Sequence, residues 1–300
     1  MKKNLQEERK GVFSLILLTF NFGLIAILVR YLSFSLSLYQ QLYLTIGIAF
    51  LLGFIVFNKN LHFAKLTKIN KKDWLIIFLR AFFGFVLGAS LYRESLTLTK
   101  ISNVTFIQSI PFTALLGFVL FKEKFNLKKA FFILFAFIGV ILIAVKDFSS
   151  ILNWSKGEML SLISAFIFSL SFLSRRWLSN FLNDQEITQI ALFFATIMLF
   201  LLSLFNDQSI IPEFKNLNWL FFVVIILLGF INTIDGLLIN FGFRTVPPVL
   251  ASNILTLEAL FAILLAAVFY QELPILKEFI GGVLIITSVV MMNRLEEKEK

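Results

Sequence analysis

Ten long runs of apolar residues, separated by short charged or turn-rich breaks, constrain the fold of this chain more than any other feature. A membrane-spanning helix takes about 20 predominantly apolar residues, and each run is close to that length. Backbone polar groups in lipid are satisfied only by helices or closed barrels, and runs this long fit helices. We therefore expect an all-α membrane protein with ten transmembrane helices. The runs lie at 12–29, 36–57, 74–92, 101–121, 127–145, 157–175, 186–205, 219–241, 248–270 and 276–292.

The composition excludes most soluble and metal-dependent classes of protein. Hydrophobic residues make up 59% of the 300 residues and charged residues only 15%, whereas soluble globular proteins carry about 25% charged residues. A compact soluble fold of this composition would expose large apolar patches to water. The chain has no cysteine and one histidine, His62, which excludes disulfide frameworks and multi-histidine metal sites. We expect no metal, no cofactor and no catalytic residue.

The distribution of lysine and arginine predicts the orientation. With the N-terminus in the cytoplasm, the cytoplasmic segments hold 19 of these residues and the opposite side holds 7. Because cytoplasmic loops are enriched in them, we expect residues 1–11 and 293–300 to be cytoplasmic, in a bacterial cell inner membrane. Run 12–29 is long enough to span and no cleavage site follows it, so we interpret it as a retained helix. The net charge of +9 then reflects orientation and contacts with membrane lipids, not a nucleic-acid partner.

The two halves of the chain match each other at a nearly constant spacing. At offsets of 145 to 149 residues, the matched pairs include Gly11 and Gly157, Arg30 and Arg176, Gln41 and Gln189, Gly84 and Gly229, and Glu123 and Glu272. This spacing predicts two repeats, 12–145 and 157–292, of five helices each. Because five is odd, the second repeat enters the membrane upside down. Inverted repeats are typical of secondary transporters, whose site lies between the halves near the midplane.

Two equivalent stretches carry a family resemblance. They are SLTLTKISNVTFIQSIPFTALLGFVLFKEKF (Ser95–Phe125) and TVPPVLASNILTLEALFAILLAAVFYQEL (Thr245–Leu273). With them the chain resembles the drug/metabolite transporter superfamily, in particular EamA-type transporters, over nearly its whole length and as two tandem units. The resemblance implies a small organic substrate, because members carry amino acids, nucleotide-like compounds, sugars or drugs.

The resemblance rests on few positions and has departures. The residues that match the family pattern are Pro111, Glu123, Glu258 and Glu272. Ala259 stands where the second unit often has Pro, and Lys122 and Gln271 stand where Gly often precedes the terminal Glu; these departures concern helix shape. The stretch FLRAFFGFVLGASLY around Arg80 also resembles a subgroup that includes S-adenosylmethionine carriers.

Three charged residues lie inside the runs, where buried charge is costly. Arg80 lies six residues past Trp74, about 9 Å into its helix, where it either reaches the headgroups or binds a substrate carboxylate or phosphate. Asp235 lies at a similar depth in the equivalent helix, so the two residues are candidates for an ion pair that opens as substrate or a proton enters. The alternative is a static pair or a contact in a water-filled vestibule. Glu258 lies near the midplane and serves either helix packing or, as a protonatable carboxylate, coupling to protons.

Amide side chains complete the candidate site. Eight lie within the runs, at Asn21, Gln40, Gln41, Asn103, Gln108, Asn232, Asn240 and Asn253. Some will only bond neighbouring helices. The candidates for substrate binding or coupling are Arg80, Asp235, Glu258, Gln108, Asn103, Asn253 and Gln41. Pro111 removes one backbone hydrogen bond and is expected to kink its helix, whereas Pro247 and Pro248 are expected to begin the ninth helix.

These observations favour a secondary transporter that moves a small organic metabolite, an amino acid or a related compound, by alternating access. Coupling to protons and export are favoured. An uptake carrier or exchanger for S-adenosylmethionine or a nucleotide-like metabolite is the alternative, and a membrane receptor or scaffold is the non-transport alternative. An intramembrane enzyme would need a nucleophile with its base, a carboxylate pair or a metal, and no such motif is present. The sequence leaves the oligomeric state open.

Overall fold

The computed structural model describes residues 2–123, 126–145, 155–206, 218–271 and 275–298. Within these ranges ten helices are long and apolar enough to cross a membrane, and no residue there lies in a strand. This confirms the all-α membrane class and the ten expected spans. The helices are α1 (Leu5–Leu32), α2 (Leu38–Asn60), α3 (Lys71–Leu98), α4 (Ile101–Phe121), α5 (Leu127–Ala144), α6 (Lys156–Trp177), α7 (Asp184–Asn206), α8 (Trp219–Thr245), α9 (Pro248–Phe269) and α10 (Leu276–Lys298).

Several helices continue beyond the C-terminal ends that hydropathy predicts, and α3 and α10 continue furthest. Helix α3 runs six residues further, so Arg93, which the charge count placed outside the membrane, lies buried inside the bundle. Helix α10 also runs six residues further, and its Glu296 pairs with Lys129 at 2.7 Å. A prediction from hydropathy ends a span at the first charged residue. Here the helices continue past such residues because neighbouring helices bury them or pair with them. Four cations of the charge count lie outside the described residues, namely Lys124, Lys146, Lys215 and Lys300.

The packing of the helices follows the two repeats. Helix α1 packs against α8 and α9, and its equivalent, α6, packs against α3 and α4. Helix α2 packs against α8, and its equivalent, α7, packs against α3. Three further pairs, α2 with α7, α4 with α9 and α5 with α10, each join a helix to its own equivalent. This pattern is that of two inverted five-helix repeats about a pseudo-two-fold axis.

Helix α3 is interrupted by a wide turn. It consists of an α-helix (Lys71–Arg80), a π-helix (Ala81–Gly88) and a second α-helix (Ala89–Leu98). Serine hydroxyls of α6 donate to carbonyl oxygens at both ends of the π-helix: Ser171 Oγ to Arg80 O at 3.4 Å and Ser164 Oγ to Gly88 O at 3.0 Å. Such π-helical segments are rare and are frequently found at functional sites.

Helices α4 and α9 are both broken eight residues after they begin. Helix α4 consists of Ile101–Gln108 and Phe112–Phe121, with Pro111 as the residue that caps the second part. Helix α9 consists of Pro248–Leu255 and Leu257–Tyr270, and no proline lies at its break. Discontinuous helices near the centre of a transporter are the usual place for a substrate site.

The ends of α4 and α9 share an unusual backbone conformation. Lys122 follows α4 with φ of 52°, and Gln271 follows α9 with φ of 58°. These are the two positions at which the resemblance implies Gly, and the left-handed conformation would suit Gly, which has no Cβ to clash there.

Large apolar side chains cover the outside of the bundle. The exposed fraction is 75% for Ile55, 74% for Val119 and 85% for Phe205. Exposure of this kind suits lipid contact and would be a liability in water. Trp219, at the first residue of α8, is 71% exposed, in keeping with an aromatic anchor at the membrane interface.

Candidate functional site

A cavity of about 150 Å³ lies between the two repeats. Its walls come from α1 to α4 and α6 to α9, whereas α5 and α10 pack on each other and contribute no residue to it. The π-helix of α3 and the breaks of α4 and α9 all border this cavity. The interrupted helices therefore meet where the pseudo-symmetry predicts a site.

Arg80 and Asp235 both line this cavity but do not form the expected ion pair. The side chain of Asp235 bonds instead to Asn21 of α1, whose Nδ2 donates to Oδ1 at 2.5 Å. The other oxygen, Oδ2, is buried without a hydrogen-bond partner among the described residues, and so is Nη1 of Arg80. The candidate ion pair is therefore absent among the described residues: Asn21 binds one oxygen of the carboxylate, and Arg80 does not bind the other. The arginine and the aspartate each leave a polar atom unpaired.

Arg93 is the functional candidate that sequence reasoning missed. It is 4% exposed and borders the cavity. Its Nη2 donates to Thr45 Oγ1 at 3.0 Å, and its Nη1 has no hydrogen-bond partner in the part of the chain that the structure describes. Neither Arg93 nor Arg80 is part of an ion pair among the described residues.

The π-helix explains why the two arginines share one cavity. They are 13 residues apart, and at about 100° per residue an unbroken α-helix would place them about 220° apart, on different faces. The π-helix Ala81–Gly88 lies between them and turns through fewer degrees per residue, because its hydrogen bonds span five residues. The break in the α-helical period thus brings Arg80 and Arg93 to the same cavity, which periodicity alone could not predict.

Glu258 lies just beyond the break of α9 and borders the cavity. Its exposed fraction is 8%. In the part of the chain that the structure describes, no Lys, Arg or His nitrogen lies within ion-pair distance of it. Tyr92, next to Arg93, is its neighbour across the cavity. The cavity therefore holds two arginines and two carboxylates that do not neutralise each other by direct contact.

The amide candidates divide into two groups. Gln108 borders the cavity, where its Nε2 donates to Ser161 O at 3.1 Å. Asn103, Asn253 and Gln41 are not among the residues that line it, and their part in binding or coupling stays a prediction. They face neighbouring helices or loops instead. Asn103 donates to Glu158 Oε1 at 3.0 Å, Asn253 accepts from Ser288 Oγ at 3.1 Å, and Gln41 donates to Leu36 O at 3.2 Å.

Two further amides of α8 border the cavity, Asn232 and Asn240. Asn240 Nδ2 donates to Thr188 Oγ1 at 2.9 Å and Asn232 Nδ2 to Leu228 O at 2.7 Å. Both were noted in the sequence, yet only the packing distinguishes them from amides that face other helices.

One end of the molecule holds both chain ends and is tied together by ion pairs; we call it the termini face. Arg9 Nε lies 3.1 Å from Glu297 Oε1. Deeper in, Asp184 accepts from Arg175 at 2.8 Å and pairs with Arg244 at 2.9 Å. We call the opposite end the distal face; there Glu158 accepts from Thr99 and Asn103, and Lys156 pairs with Glu94 at 2.8 Å.

The family residue Glu123 has a structural role. It follows α4, and its Oε2 accepts from the backbone N–H of Val249 at 3.2 Å, in the first turn of α9. Burial raises the pKa of the Glu123 carboxyl, and this hydrogen bond lowers it in part. A carboxylate is stabilised near a helix N-terminus, because the N–H groups of the first turn lack partners within the helix. Its expected counterpart, Glu272, lies outside the described residues.

Nothing among the described residues suggests a metal centre, since no three His, Cys, Asp or Glu side chains there lie together as a ligand set. The cavity instead offers unpaired guanidinium and carboxylate atoms in apolar surroundings. Buried charges of both signs without direct partners suit a small ligand that itself carries complementary charge.

Comparisons with known proteins agree with this architecture. The sequence matches the EamA-like transporter family over residues 9–145 and 155–294. An uncharacterized transporter of Methanothermobacter thermautotrophicus is 24% identical over 236 residues, which cover 75% of this chain and 66% of that relative. An uncharacterized transporter of Synechocystis sp. is 23% identical over 252 residues, which cover 79% of this chain and 70% of that relative. The chain thus spans about two thirds of the length of these relatives.

A protein of known crystal structure shares the fold, with a TM-score of 0.78 over 96% of this chain and 98% of the other. At 12% identity this likeness concerns the fold alone. The family match covers both repeats, and the similar sequences are transporters. The chain is accordingly a multi-pass membrane transporter, and it belongs to the EamA-like transporter family.

Proposed function

We propose that this transporter is a secondary carrier that moves a small zwitterionic metabolite, an amino acid or a close relative, by alternating access. The observation that carries the proposal is the cavity between the inverted repeats, which Arg80, Arg93, Asp235 and Glu258 border without forming ion pairs with one another. An α-amino acid supplies a carboxylate for an arginine and an ammonium group for a carboxylate.

The energetics of buried charge support a charged ligand. A guanidinium inside a membrane is costly unless a partner compensates it. Three buried atoms have no hydrogen-bond partner within the described ranges, namely Nη1 of Arg80, Nη1 of Arg93 and Oδ2 of Asp235. A ligand carboxylate would satisfy an arginine through two parallel hydrogen bonds, and an ammonium group would satisfy the free oxygen of Asp235.

The size of the cavity favours amino acids over the larger alternative. A cavity of about 150 Å³ in a protein interior accepts a molecule of the size of benzene. S-adenosylmethionine or a nucleotide-like metabolite would need a pocket in the range of roughly 300–1,000 Å³ that is usual for larger ligands. Coupling to protons is assigned to Glu258, because this carboxylate is buried, borders the cavity and has no cationic partner among the described residues.

The orientation that we propose has the termini face in the cytoplasm of a bacterium, with export as the direction. The balance of lysine and arginine supports the orientation, and the Arg9–Glu297 ion pair supports a common side for the two chain ends. Gln108, Asn232 and Asn240 are assigned to substrate contacts because they border the same cavity.

The test is counterflow of radiolabelled L-amino acids, and of labelled S-adenosylmethionine, in proteoliposomes with and without a pH gradient. We expect uptake of one or more amino acids that the gradient stimulates. Asp235→Asn should reduce uptake of the zwitterion, and Glu258→Gln should abolish the effect of the gradient while exchange persists. Glu297→Gln, at an exposed ion pair, serves as the control. Saturable uptake of S-adenosylmethionine alone would favour the alternative carrier, and no uptake of any probe would favour the receptor or scaffold.

A further inference from the structure

Two arginines occupy equivalent positions at the ends of α1 and α6. Arg30 and Arg176 are matched at an offset of 146 residues, as are Leu32 and Leu178 two residues later. Because the repeats are inverted, Arg176 lies at the termini face and Arg30 at the distal face. The termini-face position of Arg176 is fixed by its contact with Val246, against which Gly11 of α1 also packs.

Arg176 contacts two neighbouring helices through two hydrogen bonds and one aromatic ring. Its Nε donates to Phe243 O at 3.1 Å and its Nη2 to Val246 O at 2.5 Å. Its guanidinium lies over the Phe121 ring at 5.6 Å. Phe243 belongs to the last turn of α8, and Val246 is its C-cap. The last carbonyl groups of a helix lack partners and favour a cation, so Arg176 ties α6 to the end of α8 and to the end of α4.

Arg30 lies near the equivalent helix end, that of α3, but does not bind it. The C-cap of α3 is Thr99, whose N–H bonds to Ser95 O four residues earlier, as the N–H of Val246 bonds to Gly242 O. The carbonyl groups of Leu96 and Thr99 therefore correspond to those of Phe243 and Val246. Arg30 is exposed at a crevice of about 440 Å³ that Thr99 also lines. Its guanidinium donates no hydrogen bond to any described residue.

We propose that Arg176 and Arg30 are alternating latches, each of which holds the gate at its own face closed in one of the two conformations of the carrier. The inference rests on the alternating-access function proposed above. Inverted repeats that exchange conformations also exchange the contacts of equivalent residues. In the conformation described, the Arg176 latch is closed and the Arg30 latch is open. In the opposite conformation Arg30 binds the carbonyl groups that end α3, and Arg176 releases those that end α8.

The absence of cysteine gives a direct test. Ala165 of α6 is 3% exposed and lines the cavity, so Ala165→Cys introduces a single thiol there. Its rate of reaction with a membrane-impermeant maleimide is measured from each face, in right-side-out and inside-out vesicles of the expression host. With Arg30 and Arg176 both present, the introduced thiol should react faster with maleimide from the distal face than from the termini face.

Removal of either latch should shift the ratio of the two rates in opposite directions. Hydrogen bonds to a charged group are strong enough to shift a two-state equilibrium about tenfold. Arg176→Ala should therefore raise labelling from the termini face about tenfold relative to the distal face. Arg30→Ala should lower that ratio, because it destabilises the conformation in which the termini face is open.

Several controls keep the test decisive. Arg9→Ala removes an exposed cation of the termini face and should leave the ratio unchanged. Arg176→Lys keeps the charge without the forked donor geometry and should give an intermediate ratio. Because Arg30 is exposed, Arg30→Ala leaves folding intact and tests the proposal even if Arg176→Ala does not fold.

The proposal is overturned if Arg30→Ala and Arg176→Ala shift the ratio in the same direction, or if neither shifts it. This readout needs no substrate. A shift in opposite directions without uptake of any amino acid would therefore retain the latches and reject the proposed substrate. Uptake of an amino acid without a shift of the labelling ratio would retain the proposed substrate and reject the latches.

Discussion

Helices α3 and α8 are equivalent in the fold and opposite in chemistry. Helix α3 is interrupted by a π-helix and brings Arg80 and Arg93 to the cavity. Helix α8 is continuous and brings Asp235 with the amides Asn232 and Asn240. The packing of the two helices follows the two-fold pattern, with α3 against α6 and α7 and α8 against α1 and α2.

In the proposed carrier, the shared packing of the two helices serves the movement of the repeats, and their different side chains serve the binding of the ligand. A pseudo-symmetric scaffold lets the two repeats exchange conformations, because each contact has an equivalent. An asymmetric lining gives a bound ligand one favoured orientation, since the two arginines lie on α3 and Asp235 lies on α8. Each of the following predictions tests one part of that comparison.

The largest effect is expected from the arginines of α3. Arg93→Ala or Arg80→Ala should lower the apparent affinity for a transported amino acid about 30-fold or more, because loss of one partner of a buried charge pair costs about 2–5 kcal/mol. Arg93→Lys should lie between the wild type and Arg93→Ala. Half-saturation of uptake in proteoliposomes is the measurement. Lys156→Ala, at an exposed pair near the distal face, is the control, and an equal loss there would refute the assignment.

A smaller effect is expected from two equivalent glycines. A Cβ at Gly229 of α8 would lie 2.4 Å from Ile48 Cγ2 and 2.9 Å from Ile48 Cβ, whereas one at Gly84 of α3 would meet a hydroxyl, Ser171 Oγ, at 2.6 Å. A hydroxyl rotates away and a β-branched side chain does not. Gly229→Ala should destabilise the protein by about 1–3 kcal/mol, and Gly84→Ala by less.

Thermal unfolding of the two glycine variants in detergent gives the comparison. Equal losses in the unfolding midpoint would show that the closer approach of α8 to α2 has no energetic consequence. A larger loss for Gly84→Ala would show that the π-helix, rather than side-chain contact, limits substitution in α3.

The third prediction concerns the equivalent caps of α4 and α9. Lys122→Gly and Gln271→Gly should each stabilise the protein by up to about 1 kcal/mol, since a side chain in the left-handed conformation costs about that much. Lys122→Ala is the matched control because it removes the side chain but keeps the Cβ. A gain for Lys122→Ala as large as that for Lys122→Gly would assign the effect to the lysine side chain instead of to the backbone.

The smallest effect is expected from Glu123, and it depends on pH. Burial raises the pKa of this carboxyl above its ordinary 4.5, so the folded state holds the proton more tightly than the unfolded state. The carboxyl therefore contributes most to stability below pH 4.5, and this contribution is lost as the pH rises through the raised pKa.

Unfolding midpoints of the wild type and Glu123→Gln between pH 4 and pH 8 measure this contribution. The wild type should lose stability relative to the variant as the pH rises. A relative gain would mean that the hydrogen bond from Val249, or the nearby Arg176, outweighs burial.

The sequence predicted the scaffold well because the scaffold depends on apolar length and on repetition. The ten runs became ten helices, although α3 and α10 continue through Arg93 and Glu296, which hydropathy treats as loop residues. Their burial depends on partners in other helices, namely Thr45 and Lys129. No local pattern identifies such partners.

The candidate site was predicted only in part. Arg80, Asp235, Glu258 and Gln108 do border one cavity. The pairing of Arg80 with Asp235 failed because depth along a helix does not determine rotation about its axis, and Asn21 proved to be the closer partner. Arg93 was missed because only the π-helix brings it to the same cavity as Arg80.

The ion pairs concentrated at the termini face have a consequence for affinity. A carrier that spends most of its time with one entrance shut binds ligand from that side with an apparent dissociation constant larger than the intrinsic one, by the inverse of the fraction that is open. The buried Arg175 and Asp184 form one cluster with the exposed Arg244 at that face. The same site would then show a weaker apparent affinity toward ligand from the termini face than from the distal face, without any change in its contacts.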